Sequence, residues 1–277
     1  MSDTAAASSV MTVDPWLIAL DIDGTTMHED GSISDAVKAE VHRLVAEGHE
    51  VMLATGRSAA ATLPVIERLE IEPRFIVCSN GAITLHRDPE APTGYRREWV
   101  ESFDPTEVLT SIRSHLANAR YAVEDETGFY RYTEPFPDAT IGLDSEHVPF
   151  DELMRHPATR VVVISPDHDM EDFLKVVDRM GLHRVSYAIG WTAWLDIAPD
   201  GVNKATALER VRSELGTPRE RVMAVGDGRN DVDMLAWAAE HGRGVAMGYS
   251  PDDVVAVANE TTGSVQEDGL ARVLGTL

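Results

Sequence analysis

Two aspartates separated by one residue, Asp21 and Asp23, open the segment Asp21-Ile22-Asp23-Gly24-Thr25. Carboxylates at this spacing can divide labour, one attacking an electrophile such as phosphorus and the other carrying a proton. Asp21 to Gly24, taken alone, also read as an Asx turn closing a strand. A calcium loop fails on spacing, because its sixth position, which requires glycine, is Thr26 and its twelfth is Ser32 rather than glutamate.

A second acidic cluster, Gly226-Asp227-Gly228-Arg229-Asn230-Asp231, fails the calcium test in the same way, with Val232 at its sixth position. It follows the apolar run Val222 to Val225, so it delivers Asp227 and Asp231 to a strand end. If these carboxylates share a rim with Asp21, they repel one another unless a divalent cation lies among them, and hard oxygen ligands suit Mg²⁺. Ala54-Thr55-Gly56-Arg57 offers a threonine hydroxyl and helix-start amides, either an anion site or an ordinary N-cap. Lys204, in Gly201-Val202-Asn203-Lys204-Ala205, falls in the first turn of a helix. There it opposes the macrodipole, which points to an anionic partner or to an unremarked surface lysine.

The elements that must carry these groups alternate. Trp16 to Leu20, Val51 to Ala54 and Phe75 to Cys78 read as short buried strands, with a helix marked by Val37, Val41, Leu44 and Val45 between the first two. Val222 to Val225, a helix with Met234 and Leu235, a strand over Gly244 to Met247 and a helix over residues 252–258 repeat the pattern. Strand, helix, strand implies parallel pairing, and an α/β doubly wound, mainly parallel, Rossmann-like core in two stretches, 13–82 and 197–277. Open sheets of this kind hold reactive groups at the carboxyl ends of their strands.

Residues 83–196 have a different texture. Asp104-Pro105-Thr106-Glu107 marks a helix start, and the strands expected at 120–123, 129–132, 161–164, 184–189 and 193–197 make an α+β insert large enough to be a cap domain. Residues 1–12 read as a disordered leader.

The chain has 277 residues, 43% of them hydrophobic, and a net charge of −23, which argues against nucleic acid and anionic membranes. The single cysteine, Cys78, sits in a strand and implies a reducing compartment. No apolar run approaches the roughly 18 residues of a membrane span. Cytoplasm is the expected location.

Taken together and in this order, the four motifs resemble the haloacid dehalogenase (HAD) superfamily, specifically its Cof-like phosphatases with a large α/β (type IIB) cap. Ser79-Asn80-Gly81-Ala82, Gly244-Val245-Ala246-Met247-Gly248 and Glu267-Asp268-Gly269-Leu270 belong to the same resemblance, which runs from about residue 14 onward. It implies a Mg²⁺-dependent phosphatase acting on a small phosphorylated metabolite, a sugar phosphate or similar monoester, through an aspartyl-phosphate. By resemblance Asp21 is nucleophile and metal ligand, and Asp23 is general acid and base, with its carbonyl on the metal. Thr55, Gly56, Lys204 and Asn230 would hold the phosphate, Asp227 would bind Mg²⁺, and Asp231 would support it from behind. Arg57, Asn80 and Gly81 are candidate substrate contacts, as are Tyr130, Arg131 and Trp191 of the insert. The pattern departs from the subfamily at Tyr249, commonly asparagine, and at Asn259, frequently aspartate.

A phosphomutase or phosphotransferase on the same scaffold, or a non-catalytic phosphometabolite sensor, are the alternatives. A sensor would be expected to have lost a chemical motif, and none is damaged. The charge of −23 does not by itself repel a phosphate, because screening over about 8 Å leaves local groups dominant.

Overall fold

The computed structural model describes residues 14–136, 144–180, 182, 185–189 and 193–277. The expected leader and Trp191 lie outside the described residues. In chain order the elements are β1 (Leu17–Leu20), α1 (Asp35–Ala46), β2 (Glu50–Leu53), α2 (Ala59–Leu69), β3 (Phe75–Cys78), β4 (Ile83–Arg87) and β5 (Tyr95–Val100). There follow α3 (Thr106–His115), β6 (Arg120–Glu124), β7 (Tyr130–Tyr132), β8 (Ser145–His147), β9 (Arg160–Ile164), α4 (Met170–Met180), β10 (Val185–Ile189) and β11 (Trp194–Pro199). The chain closes with α5 (Lys204–Leu215), β12 (Val222–Gly226), α6 (Val232–Ala239), β13 (Arg243–Ala246), α7 (Asp252–Val255), β14 (Glu260–Thr261) and α8 (Gly269–Leu274).

The core sheet runs β14-β13-β12-β1-β2 with every pair parallel. A parallel bridge from Ala54 to Val77 carries it on to β3, beside which β4 and β5 add antiparallel. Strands covered on both faces must be apolar at every position, and Leu17-Ile18-Ala19-Leu20 is wholly buried. Alternation then assigns the faces. Ile18, Leu20, Val51 and Leu53 meet α1, α2 and α8, while Leu17, Ala19 and Met52 meet α5 and α6. β1 is therefore interior to the sheet, and its carboxyl end has the ends of β2 and β12 on either side. The α/β, mainly parallel fold expected from the sequence is the one found.

The inserted sheet runs β10-β11-β9-β6-β7-β8, antiparallel except between β7 and β8. Tyr121, Val123, Val161, Val163, Leu195 and Ile197 pack one face against α3 and α4. The opposite face, carrying Ala122, Glu124, Arg160, Val162 and Asp196, has no helix over it among the described residues, and Glu124 reaches Ser79 of the core. The expected boundary at 83 falls at the start of β4, which the structure pairs with β3, and the boundary at 196 falls inside β11.

Candidate active site

The Asp21 amide extends the β1–β12 ladder by donating to the Val225 carbonyl at 2.9 Å. The chain then turns sharply. Thr26 and Met27 amides both donate to Ile22 O, and Thr26 Oγ1 donates to Asp21 O at 2.6 Å. Gly24 has φ +77°, and a Cβ there would stand 2.4 Å from Asp227 Oδ2. Glycine is needed both for the backbone angle and for the approach of the β12 loop.

On that loop, Asp231 is fully buried, and its Oδ2 accepts from the amides of Asp227 (3.0 Å) and Gly228 (2.9 Å). Lys204, at the start of α5, is also fully buried; Asn203 caps the helix by accepting from Thr206 N. Its Nζ donates to Asp21 Oδ1 at 2.7 Å and to Asp231 Oδ1 at 2.6 Å. Asp227 accepts from Thr25 Oγ1 at 2.8 Å. Carboxylate oxygens of Asp21, Asp227 and Asp231 lie within 4.8 Å of one another. Three carboxylates from two segments about 200 residues apart thus meet, two of them on one lysine.

The electrostatics follow. Burial, then the nearby Asp231, raises the Asp21 pKa well above its usual value against the pull of Lys204. Burial, then Asp231, lifts Asp227 to about 7, with the Thr25 hydrogen bond opposing. Burial disfavours the Lys204 charge, but Asp21 and Asp231 outweigh it and hold its pKa above the ordinary value. One lysine does not neutralise three buried carboxylates, so the donor set and its charge fit a hard divalent cation.

Asp23 points elsewhere. Its carboxylate is 60% exposed and takes a fork from Arg57, Nε at 2.8 Å and Nη2 at 2.5 Å. Thr55 is buried after β2, but it does not cap α2. Ser58 is the N-cap, accepting from Ala61 N, while Thr55 Oγ1 accepts from Arg57 N at 3.1 Å. The expected helix-start amides are thus separated from Thr55 by a short turn. After β3, Ser79 and Asn80 adopt positive φ (+49° and +52°), and Asn80 Oδ1 accepts from Asn230 Nδ2 at 3.2 Å. Gly56 lies against Asn80, and Gly81 lies against the Asn203 carbonyl. Thr55, Gly56, Asn80, Gly81, Lys204 and Asn230 are therefore gathered at one edge.

A crevice adjoins Lys204 and is lined by Asn80 and Asn230 of the core and by Ser186, Tyr187 and Asp196 of the insert. Two residues singled out from the sequence do not line it. Tyr130 is buried, its hydroxyl accepting from Arg160 Nη1 at 3.3 Å, and Arg131 pairs with Asp125 at 2.9 Å. The residues that sequence reasoning missed are Glu124, Arg160 and Asp196. Their one signal was a charge set into otherwise apolar strands. Asn259 proves to be a staple: Oδ1 accepts from Gly244 N, and Nδ2 donates to Ala239 O and Gly242 O. Tyr249 is 86% exposed at positive φ.

The model of the haloacid dehalogenase-like hydrolases matches residues 18–274. The chain belongs to that family. It is 32% identical to the 5-amino-6-(5-phospho-D-ribitylamino)uracil phosphatase YitU of Bacillus subtilis, across 95% of this chain and 98% of that one. A second Bacillus subtilis relative with the same printed activity, YcsE, is 26% identical across 95% of each chain. Among solved structures, the HAD subclass IIB sugar phosphatase BT4131 superposes with TM-score 0.77 at 20% identity, covering 94% of this chain and 98% of that one. TM0651 of Thermotoga maritima gives 0.72 at 19%, covering 95% and 97%. The expectation of a HAD-family phosphatase is borne out at the level of family, fold and enzyme class.

Proposed function

We propose that this HAD-family member is a Mg²⁺-dependent phosphatase that hydrolyses a small phosphomonoester through a phosphoryl group carried on Asp21. The observation that carries the reading is the Lys204 ammonium held between Asp21 and Asp231, with Asp227 beside them, at the carboxyl edge of the sheet. Asp21, Asp227 and the Asp23 carbonyl would hold the cation, while Asp231 is already committed to Lys204 and two amides and so positions them. Bound Mg²⁺ would offset the acidic cluster and draw charge from the phosphoryl oxygens.

Lys204 fixes Asp21 through Oδ1, leaving Oδ2 to attack phosphorus in line. As the new bond forms, the P–O bond to the leaving group breaks, and Asp23 supplies the proton the alkoxide takes up. Asp23 then removes a proton from water as that water attacks phosphorus; the bond to Asp21 breaks and inorganic phosphate leaves. Thr55, Gly56, Lys204 and Asn230 surround the phosphoryl group. Asp23 reaches this position by leaving Arg57, and an exposed pair is cheap to part.

Among the described residues no helix is long and apolar enough to cross a membrane. Cys78 is buried, and burial pushes its thiol up to about 12, so it is inert. A reducing cytoplasm remains the location we assign. Because both named relatives act on 5-amino-6-(5-phospho-D-ribitylamino)uracil, that compound is the first substrate to test. The expected result is Mg²⁺-dependent release of one phosphate per ester consumed. Consumption with the phosphate retained on an isomeric product would mark a mutase instead.

A further inference from the structure

The crevice beside Lys204 is lined by groups of two kinds. Lys204 is committed to Asp21 and Asp231. Ser186, Tyr187 and Asp196 of the insert, and Arg229 and Asp233 of the core, line it as well. Arg229 spends its Nε on Asp253 at 2.8 Å. Away from the phosphate, no lining cation among the described residues is without an acidic partner, while Asp196 and Asp233 both carry carboxylates.

Asp196 is also unusually fixed. Its Oδ1 accepts a hydrogen bond from Arg160 Nε at 2.8 Å and lies 2.6 Å from Nη2 of the same guanidinium, and Arg160 is buried. Arg160 is steadied in turn by Tyr130, and Glu124 lies beside both across the β6–β9 ladder. Asp196 Oδ2 accepts no hydrogen bond from the described residues. A charged acceptor, held rigid by a buried guanidinium and lining the crevice, suits a hydroxyl or amino group and opposes a second anion.

Granted the phosphatase reading, on which this rests, we infer that the enzyme selects monophosphates whose leaving group is uncharged and rich in hydroxyl or amino donors, and that Asp196 is the selecting residue. A bisphosphate or a phosphorylated acid would bring its second charge against Asp196 and Asp233, and the cations that line this crevice among the described residues, Lys204 and Arg229, are already paired with carboxylates.

The test uses the Mg²⁺-loaded enzyme with three esters: a pentitol monophosphate, the corresponding bisphosphate and p-nitrophenyl phosphate. For the unaltered chain kcat/KM should be at least about tenfold higher for the pentitol monophosphate than for the bisphosphate. Asp196→Asn retains an oxygen for Arg160 and removes the charge, so the discrimination against the bisphosphate should shrink by about fivefold or more. Asp196→Ala should lower kcat/KM for the pentitol ester, relative to p-nitrophenyl phosphate, by roughly 10- to 100-fold, chiefly through KM. If the alanine variant does not fold, as circular dichroism will show, the asparagine variant decides. Ratios within about twofold of the parent in the folded variants, or a parent preference for the bisphosphate, would overturn the assignment while leaving Asp21 chemistry standing. A parent inert toward all three esters overturns the phosphatase reading and this inference together.

Discussion

The two sides of the crevice both bury charge, but they balance it differently. On the core side three carboxylates share one lysine, and two of the three are driven toward their protonated forms. On the inserted side Arg160 and Asp196 form a close pair at 2.6 Å, and Glu124, buried and raised chiefly by desolvation, shares its Oε2 with Ser79 Oγ at 2.7 Å. The first cluster carries more negative charge than its lysine offsets. The second is nearly complete and is built to hold one acceptor still.

That contrast can be broken at several points. The largest effect belongs to Asp21→Asn, which keeps the shape and removes the nucleophile; kcat should fall by at least about a thousandfold while circular dichroism is unchanged. Chelation of the metal should abolish turnover to the same baseline, with full recovery on adding Mg²⁺. Lys204→Met removes the cation fixed between Asp21 and Asp231. It should lower kcat by roughly 100- to 1,000-fold, with KM moving less.

The inserted side should respond in stability instead. Arg160→Met strands Asp196 and should cost about 3 kcal/mol in denaturant unfolding, whereas replacing both Arg160 and Asp196 by apolar residues of similar size should recover most of it.

The smallest effect is a trend with pH. The folded-state pKa of Asp227 is raised to about 7, so metal-free folded protein keeps a proton that the unfolded chain releases near pH 4. Stability from that proton is present at low pH and is lost as pH rises toward 7. The Lys204 shift acts only near and above its own high range and leaves this window untouched. Thermal scans of chelated protein should therefore show Tm falling by several degrees from pH 5 to 7.5, and Mg²⁺ should restore more at the upper end. A flat profile in chelator would mean that the core carboxylates are balanced without a cation.

The same contrast explains what the sequence made legible. Asp21, Thr55, Asn80 and Asp227 each follow an apolar run, so local pattern alone assigns them to strand ends, and the parallel order of the strands brings those ends together. Lys204 was readable because a lysine at a helix start opposes the dipole. Glu124, Arg160 and Asp196 come from three strands whose register no local pattern states; their meeting depends on which residues pair across β6, β9 and β11. The hairpin of β4 and β5 was missed for a related reason. Tyr95-Arg96-Arg97-Glu98-Trp99 is a polar edge strand, and its place beside β3 is set by pairing rather than by hydrophobic run. Helix α4 was missed because its buried stripe is short, Phe173, Val177 and Met180 among charged neighbours. Thr55 shows how local reading errs by a few residues, since Ser58 three positions later holds the capping role.

The central claim is that Asp21 itself carries the phosphoryl group. Protein quenched in acid during steady turnover, reduced with borohydride and mapped by peptide mass spectrometry tests it directly. The account predicts one phosphoryl group per chain in the intact mass and a reduced aspartate at position 21, both absent from Asp21→Asn. Turnover with no covalent phosphoryl, or with the modification on another residue, would contradict it.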